Sequence, residues 1–173
     1  MDYVLDILKI SVSGLLVLLA AYYILKNLLH NEERRRYYEL KKETAKMLTP
    51  VRLTAYERFA LFLERINPES MILRIQQSNM NAGGLHLALL TCVREEFEHN
   101  VSQQIYISPE LWSFIKGAKE NLIQFINVCS SRIESNMPAI ELSRIIIEGY
   151  NSIDNQPTKV ALDFLKKEVK AFQ

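Results

Sequence analysis

The sequence has little glycine, little proline and no strand-length run of alternating apolar and polar residues. Its 173 residues include 5 glycines and 5 prolines, the residue types that most often interrupt a helix. Because no segment shows the two-residue period of a half-buried strand, the sequence predicts helix throughout. The length leaves room for one ordinary domain and a short appendage.

An excess of one charge is also lacking. The 21 Lys and Arg residues face 20 Asp and Glu residues, a formal net charge of +1. Neutralisation of phosphates by lysine and arginine dominates binding to nucleic acids. The sequence shows no stripe of clustered basic residues that could do this. We therefore expect no nucleic-acid partner.

Cysteine is scarce too. Cys92 and Cys129 are isolated from each other and lack the spacing of a metal site or of a disulfide framework. This pattern indicates two small core residues in a reducing compartment.

One long apolar run is present, from Ile7 to Leu25, with Lys9 as its only charge. At about 1.5 Å per residue it just matches a hydrocarbon core of about 30 Å. The sequence therefore predicts a single transmembrane helix within residues 1–26. A buried core helix and a cleaved signal peptide are the alternatives, and the acidic start of the chain argues against the signal peptide.

Lysine and arginine are far more frequent after this run than before it. This bias predicts an outward N-terminus and a cytoplasmic C-terminal domain. Small side chains follow one face of the predicted span and would admit a partner helix there; they are Ser13, Gly14, Val17 and Ala21.

Residues 27–49 contain neither glycine nor proline and are predicted to extend the first helix as a charged neck. Leu29, Tyr37, Leu40 and Met47 give this neck a ragged apolar seam. Its basic residues are predicted to contact anionic lipid headgroups, with a solvated helix face as the alternative; they are Arg34, Arg35, Arg36, Lys41 and Lys42. Pro50 is predicted to end the neck and to begin a new helix.

Capping signals divide residues 50–173 into further helices. The predicted helices are Pro50 to Ile66, Pro68 to about Gln77, Ala82 to about Tyr106, Pro109 to about Ile133, Pro138 to Tyr150 and Pro157 to Ala171. Apolar residues recur at helical spacing, first as Leu53, Tyr56, Phe59, Ala60, Leu63 and Ile66 and then as Leu85, Leu89, Val93, Phe97, Val101 and Ile105. The fold class predicted is all-α, with a bundle of five or six helices in this part.

The best candidate for catalysis is the pair Glu96 and His99. Their spacing on a helix would aim both side chains at one metal ion, but a di-iron bundle needs this motif twice and further glutamates. The chain has three histidines, and the other two lack a glutamate at that spacing. Gly83 and Gly84 precede a helix without the lysine of a phosphate loop, which indicates a helix cap. We therefore expect no metal, no cofactor and no enzymatic activity.

Several segments resemble an uncharacterised family of short single-pass membrane proteins from Bacteroidota. They are Thr49-Pro50-Val51-Arg52-Leu53, residues 55–66, residues 94–100, residues 103–106 and residues 161–169. The resemblance extends over nearly the whole chain. It implies a bacterial inner-membrane setting and carries no activity and no functional residues.

The expected function is that of a non-enzymatic accessory or scaffold subunit of an inner-membrane protein complex. A minimal anchor, a neutral domain and the missing catalytic motif favour it. One alternative is an anchored homo-oligomer that organises membrane lipid through the basic neck, and another is an enzyme with an unrecognised site.

Overall fold

The described chain is all-helical, as predicted. A computed structural model describes the backbone of residues 2–171. Within the first helix it describes the side chains of Tyr3, Gly14, Leu15, Leu18 and Leu19 and of the residues from Ala21 onward. Over these residues there are six α-helices, one 3-10 helix and no β-strand, apart from a single bridge between Asn81 and Pro138.

The helices begin close to where the capping residues predict. They are α1 (Asp2–Arg65), α2 (Pro68–Ile75), α3 (Ala82–Asn100), a 3-10 helix (Val101–Tyr106), α4 (Pro109–Ser130), α5 (Ala139–Asn151) and α6 (Pro157–Lys170). Prolines stand in the first turn of α2, α4 and α6, where the missing N–H removes no helical hydrogen bond. Asn67, Asn81 and Ser108 each accept a backbone N–H at a helix start, as N-cap residues do.

The predicted transmembrane helix is wrong. Among the described residues, the structure contains no helix with the length and apolar character needed to span a bilayer. A segment of spanning length that begins at Ala21 includes Lys26 and the charged run Glu32 to Arg36. Each charge costs roughly 2.5–3.5 kcal/mol at the centre of a membrane helix. The first part of the predicted span, residues 7–13, lies outside the described side chains.

The predicted break at Pro50 is also wrong, because α1 continues through this proline to Arg65. Proline removes one helical hydrogen bond and crowds the preceding turn. Threonine hydroxyls on both sides bond to carbonyls one turn earlier, Thr49 Oγ1 to Ala45 O at 2.6 Å and Thr54 Oγ1 to Pro50 O at 3.0 Å. The helix therefore continues although Pro50 has no N–H to donate to the carbonyl four residues earlier.

Contacts divide the chain into two units at Thr49 and Pro50. The first unit belongs to α1, and all of its described side chains are exposed. In the second unit α4 packs against α3, α5 and α6, and α3 also packs against α2. The largest fully buried side chains belong to this unit and are Phe59, Phe62, Leu63, Ile66, Met71, Leu85, Leu89, Leu111, Ile115, Leu122, Ile126 and Tyr150.

Two members of the predicted apolar stripes do not reach this core. Leu53 and Ile105 are both exposed. Ile105 belongs to the 3-10 helix, which has about 3.0 residues per turn instead of 3.6. The change of period rotates Ile105 away from the buried face that Leu85, Leu89 and Val93 share.

Candidate functional site

A groove runs between the C-terminal part of α1 and the end of α3. One face of α1 lines it with Thr54, Arg58, Leu61 and Arg65, which recur at helical spacing and are all exposed. Glu96, His99 and Asn100 of α3 line the other side. The groove encloses about 410 Å³ and contains both residues of the predicted Glu-His pair.

Glu96 is the electrostatic centre of the groove. Its side chain is only 18% exposed, and its Oε1 lies 2.7 Å from Arg65 Nε and 4.0 Å from Arg74 Nη1. Arg74 also donates from Nη2 to the carbonyl of Arg65 at 2.6 Å. These contacts join α1, α2 and α3 around one carboxylate. Glu96 is the less exposed member of these pairs, since the side chains of Arg65 and Arg74 are 46% and 38% exposed.

Glu96 and His99 line the same groove. Within the described residues, no group of three or more His, Cys, Asp or Glu side chains is placed to hold a metal ion. Cys92, Glu95 and His99 line a smaller groove beside Glu96, of about 280 Å³. Burial raises the pKa of the Cys92 thiol, which keeps the sulfur protonated and therefore weakly nucleophilic at neutral pH.

The aromatic layer behind the groove packs through ring contacts. Phe62 meets Phe97 edge-on with ring centroids 6.0 Å apart, and Phe97 stacks on Trp112 at 5.3 Å. Lys119 Nζ lies 4.4 Å from the centroid of the Phe97 ring, within reach of a cation–π attraction. Phe97 therefore packs against Phe62, which lines the groove, and its ring contacts link α1, α3 and α4.

The glycine-rich start of α3 is a helix cap, as predicted. Asn81 Oδ1 accepts the N–H of Gly84 at 2.8 Å. Ala82 N donates to Met137 O at 2.7 Å, and Gly83 N donates to Ser135 O at 3.0 Å. The first-turn donors that could bind an anion are thus engaged by protein acceptors.

A polar network that the sequence does not reveal lies where α1, α4 and α6 meet. Glu168 accepts hydrogen bonds from Tyr56 Oη at 2.6 Å, from Ser108 N at 3.1 Å and from the Ser108 hydroxyl. Arg52 donates to the carbonyl of Tyr106 at 3.2 Å. Because Glu168 lies 60 residues from Ser108 and 112 from Tyr56, no local motif could indicate this arrangement.

We expect the free energy of unfolding to fall as the pH rises from 10 to 12. Burial, reinforced by the hydrogen bond to Glu168, raises the pKa of Tyr56 from 10.0 to about 12. The folded chain therefore holds this proton after the unfolded chain has lost it, and the stabilisation is complete below pH 10 and lost by about pH 12. Urea unfolding of the wild type and of Tyr56→Phe over this range measures the effect.

The comparison isolates Tyr56 because the other titrating groups are common to both proteins. The wild-type curve is expected to fall more steeply than that of Tyr56→Phe. Parallel curves would mean that Tyr56 titrates alike in the folded and unfolded chain.

The basic residues predicted to contact lipid lie in the first unit. Arg34, Arg35, Arg36, Lys41 and Lys42 are all exposed there. Arg35 forms an exposed ion pair with Glu39 at 3.0 Å and Arg36 one with Glu32 at 3.5 Å, contacts that typically add less than about 1 kcal/mol each. Their role at lipid stays a prediction.

The predicted partner-helix face is described only in part. Gly14 and Ala21 are exposed on α1. The side chains of Ser13 and Val17 lie outside the described residues. The role of this face therefore stays a prediction as well.

The chain was compared with protein families, curated proteins and solved structures. The model of a family of unknown function, DUF7935, matches residues 2–172. Neither a curated protein nor a solved structure matches the chain.

Proposed function

We propose that this chain, a member of the DUF7935 family, is a non-enzymatic accessory or scaffold subunit that works by binding another protein. The groove between α1 and α3 carries the proposal. The two residues with the best catalytic spacing lie in it, and one of them, Glu96, holds Arg65 and Arg74 in place. These ion pairs hold the charged side chains of the groove in a defined arrangement, which suits a binding surface.

The lining of the groove suits a protein partner. Leu61 is a large exposed apolar side chain, and Arg58 and Glu57 flank it. Protein interfaces combine an apolar centre with a polar rim and favour arginine. The partner we propose presents an apolar side chain to Leu61 and a carboxylate to Arg58. That this chain belongs to an inner-membrane complex and has a bacterial source stay predictions.

Replacing Leu61 by aspartate is expected to release the partner. The change puts a charge at the centre of the groove, where burial against an apolar partner is costly. Full-length tagged chain is cross-linked in its native cells and purified, and co-purifying proteins are quantified. The recovery of the partner is expected to fall by about tenfold or more, the equivalent of about 1.4 kcal/mol.

Leu73→Asp is the matched control, since Leu73 is exposed on α2 and does not line the groove. It should retain the partner. Equal loss from both variants, or equal retention by both, would contradict docking in the groove. If the wild type purified with no other protein and only with copies of itself, the homo-oligomer would be favoured instead.

A further inference from the structure

Leucines repeat along the exposed surface of the first unit. Leu18, Leu29 and Leu40 follow one another at intervals of eleven residues and are 67%, 61% and 64% exposed. Eleven residues are close to three turns of an α-helix, and an eleven-residue repeat keeps one face of a helix in line over many turns. The three leucines therefore share one face of α1.

The same face carries two further positions in every repeat, four and seven residues after each leucine. In the first repeat they are Tyr22 and Leu25, and in the third they are Thr44 and Met47. We call this face, from Leu18 to Met47, the α1 seam. Except for Thr44, these residues of the first and third repeats are large exposed apolar side chains.

The middle repeat has charges at the two equivalent positions. Glu33 and Arg36 lie on the seam about one turn apart, between the apolar repeats. Arg36 at present pairs with Glu32 at 3.5 Å, and both side chains are largely exposed. An exposed pair of this kind is weak, so Arg36 can exchange Glu32 for another carboxylate.

The seam is self-complementary in both apolar pattern and charge. A second α1 brings an identical eleven-residue repeat, so its leucines can meet leucines. Its Glu33 and Arg36 can then lie opposite Arg36 and Glu33 of the first helix. The six large apolar side chains of the seam are 61–67% exposed, so pairing with a second copy removes apolar surface from water. An isolated helix gains little stability of its own, so such a pairing would stabilise both copies.

We propose that the α1 seam pairs with the α1 seam of a second copy of this chain, with Glu33 of each helix bonded to Arg36 of the other. This surface is separate from the groove between α1 and α3. The two proposals can therefore fail independently.

Charge exchange on the full-length chain tests the pairing. Glu33→Arg and Arg36→Glu are each expected to raise the dissociation constant of the dimer about tenfold or more, as measured by sedimentation equilibrium. An equimolar mixture of the two variants should form heterodimers, and the double variant Glu33→Arg/Arg36→Glu should regain wild-type affinity. Recovery in the mixture shows direct contact between opposite charges on two copies.

Apolar substitutions supply the matched control. Leu40→Glu on the seam should weaken the dimer, whereas Tyr38→Glu, an exposed position on the opposite face, should not. Circular dichroism verifies that each variant stays helical. A wild type that is monomeric at all concentrations, equal effects of Leu40→Glu and Tyr38→Glu, or failure of the mixed charge variants to associate would each overturn the proposal.

Discussion

Replacing Phe97 by alanine is expected to lower the free energy of unfolding by about 3–5 kcal/mol. Phe97 is buried, stacks on Trp112 and meets Phe62 edge-on. The shorter side chain leaves a cavity beneath the groove and removes the ring over which Lys119 lies. Urea unfolding monitored by circular dichroism measures the loss.

His99→Ala is the control, because His99 lies two residues away on the exposed side of α3. Its cost should not exceed about 1 kcal/mol, as for an exposed polar residue. If the two variants were equally unstable, Phe97 would not be part of the packed core. Elemental analysis of the same wild-type protein gives a second result: stoichiometric metal lost in His99→Ala would contradict the scaffold proposal.

The second large effect is expected at Glu168. Glu168→Ala should cost roughly 2–4 kcal/mol, because each buried donor left without an acceptor costs about 1–3 kcal/mol. The variant removes the acceptor of the Tyr56 hydroxyl and of both the N–H and the hydroxyl of Ser108. Urea unfolding at neutral pH provides the measurement.

Two comparisons make this test specific. Lys167→Ala changes an exposed neighbour on α6 and should alter stability by less than about 0.5 kcal/mol. Tyr56→Phe removes one donor while Glu168 keeps Ser108, so its cost should be about 1 kcal/mol. A Glu168→Ala variant as stable as Lys167→Ala would show that the network adds nothing to the fold.

Helix starts could be predicted from the sequence because their signals are local. Asn81 and Ser108 cap α3 and α4 as expected, since an N-cap bond spans only three residues. Helix ends and interruptions were less predictable. The change from α-helix to 3-10 helix at Val101 and the passage of α1 through Pro50 depend on packing around these residues.

The sequence predicted some residues of the candidate site but not the contacts between them. The spacing of Glu96 and His99 placed both on one helix, and the structure places both in one groove. The arginines that hold Glu96 lie 31 and 22 residues away in sequence, so their approach depends on the tertiary fold. Tyr56 and Glu168 are 112 residues apart in sequence, so their contact also depends on the tertiary fold. The transmembrane prediction, drawn from the apolar run Ile7 to Leu25 with its single charge, is contradicted within the described residues.

The capping of α3 by residues far ahead in the chain has a consequence for synthesis on the ribosome. Its first-turn donors at Ala82 and Gly83 bond to carbonyls of Met137 and Ser135, and Ala139 N returns a bond to Met80 O. These acceptors leave the ribosome only after the whole of α4. Until then the amides of Ala82 and Gly83 have only water as a partner, so the first turn of α3 is expected to fray although Asn81 caps Gly84 locally. The bonds that complete the start of α3 and those that begin α5 would therefore form together. A fragment that ends at Ser130 would lack these bonds.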